Sequence, residues 1–102
     1  MEKDLNTSFL NEIYGSLLTS RQREIVSQYF DYDLSLQEIS DNLGISRQAV
    51  LDAVQKGGEQ LREYEKKLGI FAARKIILSA IGDINDGFYD CAEEKLKKLL
   101  DR

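Results

Sequence analysis

The segment Ser35–Val54 constrains the fold more than any other stretch, because it carries the start and stop signals of two short helices. Ser35 and Glu38 have capping-box spacing: the serine oxygen accepts from the backbone N–H of Glu38, and the glutamate reaches back to the N–H of Ser35. Gly44 can adopt the left-handed conformation that ends a helix, and Ser46 can then begin the next one. The segment therefore predicts a helix-turn-helix, whose second helix can enter the major groove of DNA.

Apolar residues lie where two such helices would have to pack. Leu34 and Ile39 can pack across the first cap, and Ile45 and Val50 across the second. Ser40 is small where the helices cross. A motif of this kind can also serve only as a packed corner of a small helical protein, because fold does not determine function.

The composition argues against catalysis and metal binding. The chain has no histidine, the commonest general base and transition-metal ligand. Cys91 is the only cysteine, which rules out an internal disulfide and a thiolate cluster, and we expect it to pack as a small apolar residue. The carboxylates mostly alternate with Lys and Arg, as on solvated helix faces. We predict no catalytic residue, no metal site and no cofactor, and a protein that is not an enzyme.

Length and hydropathy indicate a small cytoplasmic helical protein. The 102 residues suffice for one compact domain. No run approaches the roughly 18 apolar residues of a membrane helix, and the polar N-terminus does not resemble a signal peptide. Proline is absent and strand-like alternation is missing, so we predict an all-α fold.

The charge distribution weakens a simple nucleic-acid interpretation. The net charge is -4. Residues 35–56 carry two basic side chains, Arg47 and Lys56, against three acidic ones, Glu38, Asp41 and Asp52. Proteins that bind nucleic acids usually cluster Lys and Arg to neutralise phosphates.

Two helices are predicted before the motif. The first starts near Asn6 or Thr7 and carries a wide apolar face. Thr19 and Gln22 form a second capping box, which opens a helix that continues to Phe30. Two arginines lie in the first turn of this second helix. Arg21 and Arg23 either anchor phosphates beside the recognition helix or are solvated partners of nearby acids.

The second helix of the motif presents the best candidates for base recognition. Arg47 and Gln48 lie at its N-terminal end, and both side-chain types can make bidentate contacts to purines. Gln55 follows on the same face. Leu51, beside Asp52, suits a protein contact at least as well as a base edge.

Beyond the motif, apolar residues and a glycine continue at alternating steps of four and three, the spacing of a heptad seam: Val50, Val54, Gly57, Leu61, Tyr64, Leu68 and Phe71. This predicts one long helix from Ser46 to about Lys67, packed lengthwise on another helix. Gly57 and Gly58 either break it or let a partner approach closely, and we favour a continuous, weakened helix. We assign protein interaction to Leu51, Leu61, Tyr64 and Leu68.

The C-terminal third predicts further amphipathic helices. Gly69 ends the long helix, Gly82 and Asp83 interrupt the next apolar pattern, and a last helix starts near Asn85. Its predicted inward side chains are Phe88, Cys91, Ala92, Leu96, Leu99 and Leu100. We divide the chain into a helix-turn-helix domain, 1–56, and a helical extension, 57–102. The extension packs on that domain or on a second copy, and we expect a homodimer.

Four sequence runs carry a family resemblance. They are LLTSRQREIV from Leu17, LSLQEISDNLGISRQAV from Leu34, FLNEIYGSLL from Phe9 and LREYEKKL from Leu61. The first two resemble the last helix-turn-helix domain of bacterial sigma factors. Together, the four resemble the YlxM family of small bacterial helix-turn-helix proteins, over roughly residues 5 to 68.

This resemblance implies a regulatory role in the signal recognition particle pathway, with the particle's RNA or its GTPase as partner and no enzyme activity or cofactor. It also leaves an alternative open. The likeness to sigma factors, with Arg47 and Gln48, favours a sequence-specific DNA-binding transcription regulator. A third interpretation is a dimeric helical adaptor that touches no nucleic acid.

Overall fold

The computed structural model describes residues 3–101, and this part of the chain is all-α, as predicted, with six helices and no strand. The helices are α1 (Leu5–Tyr14), α2 (Ser20–Val26), α3 (Leu36–Leu43), α4 (Arg47–Leu68), α5 (Ile70–Asn85) and α6 (Tyr89–Leu100). A 3₁₀ turn, Gly15–Leu17, follows α1, and a π-helical turn, Ser27–Asp31, follows α2.

The structure divides into two compact units between Leu68 and Gly69. The boundary therefore lies at the end of α4, later than the division after residue 56 that the sequence suggested. The reason is that α4 runs uninterrupted through Gly57 and Gly58. The whole of α4 therefore belongs to the N-terminal unit.

Both predicted capping boxes are present. Gln22 N donates to Thr19 Oγ1 at 3.2 Å, and Thr19 N donates to Gln22 Oε1 at 3.3 Å. Ser35 and Glu38 exchange the same pair of bonds, each at 3.1 Å. Each box satisfies backbone donors that a helix start leaves without an intrahelical partner, so these two starts are fixed by local sequence.

The core of the N-terminal unit joins α2, the π-helical turn and the helix-turn-helix. Its buried centre consists of Ile25, Tyr29, Ile39, Val50 and Val54. Leu34 and Ile45, the outer members of the two predicted apolar pairs across the caps, pack against this cluster. The motif is thus held as part of a folded unit.

Gly57 allows α4 to pass very close to α2. A Cβ added at Gly57 would lie 2.5 Å from Cγ2 of Val26, a side chain that is fully buried. No real Cβ contact is that short, so only glycine fits at this crossing without displacement. A Cβ added at the adjacent Gly58 would lie 3.2 Å from Nη1 of Arg62, at the flexible end of that side chain.

Helix α1 is joined to the C-terminal half of α4 by two tyrosines. Tyr14 Oη donates to Glu65 Oε1 at 2.6 Å, and the Tyr14 and Tyr64 rings lie 6.0 Å apart. Leu61 is fully buried in the same unit. The predicted lengthwise packing of the long helix is thus realised within the chain itself.

In the C-terminal unit the predicted interruption of α5 at Gly82 and Asp83 is wrong. The helix continues to Asn85, and the chain turns at 86–88, where Gly87 has φ +81°. Gly82 lacks a Cβ but keeps a helical backbone, and one such glycine costs a helix only about 1 kcal/mol. Gly87 has the left-handed conformation that ends the helical path.

The predicted inward side chains of α6 are also mostly wrong. Within residues 69–101 only Ala80 and Ala92 are buried. Phe88, Leu96 and Leu100 are exposed, and so is Cys91, which does not pack as a small core residue. Two helices packed only on each other bury a single line of contact, which here is occupied by the two alanines. The larger apolar side chains lie outside this line of contact and remain at least partly exposed.

Candidate nucleic-acid interface

The turn between α3 and α4 is fixed by its own hydrogen bonds. Gly44 has φ +67° and ψ +31°, and its N–H donates to Ser40 O at 2.9 Å. Ser40 Oγ, largely buried, donates to Ile45 O at 2.5 Å, which anchors the far side of the turn. The predicted role of Gly44 is confirmed, and Ser40 acts through its hydroxyl as well as its small size.

The N-terminal end of α4 is presented to solvent. Ser46 Oγ accepts from Ala49 N at 3.0 Å and caps the helix. Arg47 and Gln48 follow immediately, and both are exposed. Gln55, also exposed, lies two turns further along α4. Of the predicted nucleic-acid residues, the structure brings these three together on one helix.

Each helix of the motif carries a glutamine held by an aspartate four residues later. Gln48 Nε2 donates to Asp52 Oδ1 at 3.0 Å, and Gln37 Nε2 donates to Asp41 Oδ1 at 2.9 Å. These bonds fix which way each amide points. Gln37 and Asp41 were not among the residues predicted to form the site, although their spacing of four on a predicted helix is a recognisable signal.

The exposed surface of the motif is therefore richer in hydrogen-bonding groups than in positive charge. Within residues 35–56, Arg47 and Lys56 are the two cations, and the three carboxylates are those of Glu38, Asp41 and Asp52. Amide and carboxylate pairs can accept from base amino groups or from protein donors, whereas phosphates require cations. The arrangement suits selective recognition better than general attraction to nucleic acid.

Leu51 lies half-buried between the exposed and the packed sides of α4. Its position leaves part of an apolar side chain accessible beside Gln48 and Asp52, at the same surface as Arg47. This surface therefore offers a small apolar contact next to polar groups.

The two arginines of α2 occupy different settings. Arg21 is exposed in the first turn. Arg23 lines a shallow polar groove with residues of α1 and of the π-helical turn: Ser8, Asn11, Glu12, Ser27, Asp31 and Tyr32. Among the described residues, this lining includes none from α4. Arg23 is thus placed with the acids of that groove and not with Arg47.

The residues assigned to protein interaction are also distributed unevenly. Leu61 is fully buried in the N-terminal unit and is not accessible to a partner. Tyr64 is half-buried, and its hydroxyl donates to Leu17 O at 3.5 Å. Leu68, the last residue of α4, is half exposed. The heptad seam that suggested a partner surface is mainly used for packing inside the unit.

No helix within residues 3–101 has both the length and the apolar character needed to cross a membrane. Over the same residues, no group of three or more histidine, cysteine, aspartate and glutamate side chains is placed to hold a metal ion.

The sequence of this chain is similar to those of several proteins of one family. A UPF0122 protein of Fusobacterium nucleatum is 38% identical over 92 residues, 90% of this chain and 86% of its own. One from Shouchella clausii is 37% identical over 103 residues, 100% of this chain and 94% of its own. One from Caldanaerobacter subterraneus is 42% identical over 87 residues, 84% of this chain and 74% of its own.

The family profile that matches this chain covers residues 1–100 and is described as "Putative helix-turn-helix protein, YlxM / p13 like". Its extent includes both structural units, so the C-terminal hairpin is as much a part of the family pattern as the motif. With the capped helices, the left-handed glycine turn and relatives at this level of identity, the chain belongs to the YlxM/p13-like UPF0122 family of helix-turn-helix proteins.

Proposed function

We propose that the protein is a non-catalytic regulator of the signal recognition particle pathway that binds the particle's RNA or its GTPase through the exposed start of α4. The observation that carries the proposal is the presentation of Arg47 and Gln48 at the open end of a capped recognition helix. The pathway comes from the resemblance to YlxM proteins.

The charge of the motif favours this partner class over random duplex DNA. Two cations against three carboxylates give little attraction to a phosphate backbone. Folded RNAs offer unstacked bases whose edges hydrogen-bond to side chains. A protein surface offers donors for Asp41 and Asp52 and an apolar contact for Leu51. Both partners fit a surface dominated by hydrogen-bonding groups.

A gel-shift titration with the particle's RNA, and a pull-down with its GTPase, tests the proposal. The intact chain is expected to bind one of them at micromolar concentration. Arg47→Ala is expected to weaken that binding by about 10- to 100-fold, because a charge-assisted hydrogen bond contributes roughly 1.5–3 kcal/mol. Lys66→Ala, at the other end of the same helix, is the matched control. Failure of the intact chain to bind either partner contradicts the proposal.

A DNA-binding transcription regulator is the alternative function. Arg47 and Gln48 support it, since arginine pairs with guanine and glutamine with adenine in the major groove. This alternative requires selection of particular duplexes from a random pool. Arg47→Ala should then relax base preference at one position by about 1–3 kcal/mol. An intact chain that enriches no duplex sequence rules it out.

The proposal includes a homodimer. Large apolar side chains of the C-terminal unit are exposed, which is unusual for a surface that stays in water. Light scattering of the full chain is expected to give twice the 11.7 kDa of one copy. A single copy at micromolar concentration contradicts this part of the proposal.

A further inference from the structure

The C-terminal hairpin has two unlike sides. Helices α5 and α6 meet at Ala80 and Ala92, both buried. On one side of this seam, Lys95 Nζ donates to Ser79 Oγ at 2.8 Å and pairs with Asp83 Oδ2 at 2.6 Å. These polar bonds connect the two helices and identify that side of the hairpin as polar.

The other side of the seam is apolar. With about 100° of rotation per residue in a helix, residues 77, 81 and 84 lie on the opposite side of Ala80 from Ser79 and Asp83. Residues 89, 96 and 100 likewise lie on the opposite side of Ala92 from Lys95. We call these six side chains the apolar face: Ile77, Ile81, Ile84, Tyr89, Leu96 and Leu100.

The apolar face is large enough to need a cover. Its members are each between 40% and 85% exposed. At roughly 150–200 Å² for a whole large side chain, the face offers on the order of 500–600 Å² of apolar surface. This is the upper end of the roughly 300–600 Å² that the largest apolar patch of a typical monomer spans, and patches of this size often serve in binding.

We infer that a second copy of this chain covers the apolar face, so that two hairpins form an antiparallel four-helix bundle. The inference deepens the proposed homodimer by naming its interface. Two such faces together bury about 1,000–1,200 Å², which reaches the size at which specific interfaces begin. A two-fold pair brings identical faces together and leaves neither of them open.

The spacing of the isoleucines in α5 allows this antiparallel pairing. A two-fold axis beside Ile81 sets Ile77 against the partner's Ile84 and brings Ile81 close to the partner's Ile81. The three isoleucines of one α5 can therefore cover those of the other.

Substitution on the two sides of α5 tests the interface. Ile81→Glu is expected to convert the full-length dimer into a monomer, since each copy would bury an unpaired carboxylate beside its two-fold mate. Leu78→Glu is the matched control, because Leu78 is also exposed but lies on the outer side of the same helix. It should leave the dimer intact. Helical circular dichroism of both variants is expected to match that of the unsubstituted chain.

Cysteine cross-linking gives a second readout that does not depend on destabilisation. In a Cys91→Ser background, Ile81→Cys places one thiol of each copy next to the two-fold axis, within the roughly 4.4–6.8 Å between Cα atoms that a disulfide needs. Mild oxidation should link most of the protein as dimer, whereas Leu78→Cys in the same background should remain largely unlinked.

The outcomes separate this inference from the proposals on which it rests. A monomeric unsubstituted chain overturns both the homodimer and the interface. A dimer that survives Ile81→Glu and does not cross-link at position 81 overturns the interface alone. Neither result depends on nucleic-acid or GTPase binding, so the function proposed for α4 is tested separately.

Discussion

Gly57 shows how a single missing side chain positions the recognition helix. Its Cα faces Val26 of α2 at a distance that leaves no room for a Cβ, so α4 reaches its position over the core only because this residue is glycine. The sequence permitted either a kink or a close approach at Gly57 and Gly58. Heptad spacing placed Gly57 on the packed side of the helix but gave no distance to the neighbouring helix.

Replacement of the two glycines is therefore expected to have opposite effects. Gly57→Ala gains about 1 kcal/mol of helix propensity but forces a clash with a fully buried valine, so the free energy of unfolding should fall by about 1–2 kcal/mol. Gly58→Ala meets only the movable end of Arg62 and should be neutral or stabilising by up to about 1 kcal/mol. Urea denaturation measures both values.

The same experiment has an internal check. Adding Val26→Ala to Gly57→Ala removes the Cγ2 atom that causes the clash. The two substitutions together should cost less than the sum of their separate effects. Equal losses for Gly57→Ala and Gly58→Ala would contradict the close approach of the helices.

At the scale of elements, local signals located helix starts well and helix interruptions poorly. The capping boxes at Thr19 and Ser35 place hydrogen bonds within four residues, which sequence spacing specifies directly. The interruption assigned to Gly82 depended on residue type alone, and the actual turn lies at Gly87. Glycine is compatible with both a helix and a turn, so its identity does not decide between them.

Two alanine substitutions in the hairpin distinguish these roles. Gly82→Ala should raise the free energy of unfolding by about 0.5–1 kcal/mol, because its helical backbone and open surroundings accept a Cβ. Gly87→Ala should lower it by about 1–2 kcal/mol, because φ is +81° there. Thermal unfolding followed by circular dichroism gives both signs. If Gly82→Ala lowered the free energy of unfolding instead, that result would contradict a helical backbone at Gly82 and a turn at Gly87.

The part of the candidate site that lies at a helix start was predictable from local sequence. Arg47 and Gln48 follow directly from the helix start that Ser46 sets, and their exposure agrees with that position. The placement of Arg23 in a groove with α1 depends on how α1, α2 and the π-helical turn pack against one another, which the capping and apolar patterns of each helix do not specify. The burial of Leu61 inside the N-terminal unit was not predicted. A heptad pattern identifies the packed side of a helix but does not show whether the same chain or another chain packs on it.

At the scale of the whole molecule, charge separates the proposed function from the alternative. The net charge of -4 and the two cations of the motif leave few groups to displace counterions from a nucleic acid. The slope of log K against log salt is about 0.7–0.9 for each phosphate neutralised. The proposed binding mode therefore has a shallow salt dependence.

We expect the slope for the particle's RNA to be smaller in magnitude than about 3, measured by fluorescence anisotropy between low and moderate salt. Arg47→Ala should reduce it by about one phosphate equivalent, and Lys66→Ala should leave it unchanged. A slope of about 6 or more would require many phosphate contacts and would contradict this binding mode.

The role proposed for the exposed start of α4 is to bind a partner in the signal recognition particle pathway. The most direct test is ultraviolet crosslinking of the full-length protein in cells, followed by sequencing of the attached nucleic acid and identification of the attached protein. We expect enrichment of the particle's RNA or its GTPase, which should be lost with Arg47→Ala and retained with Lys66→Ala. Recovery of genomic DNA fragments instead, or equal recovery with Arg47→Ala, would contradict it.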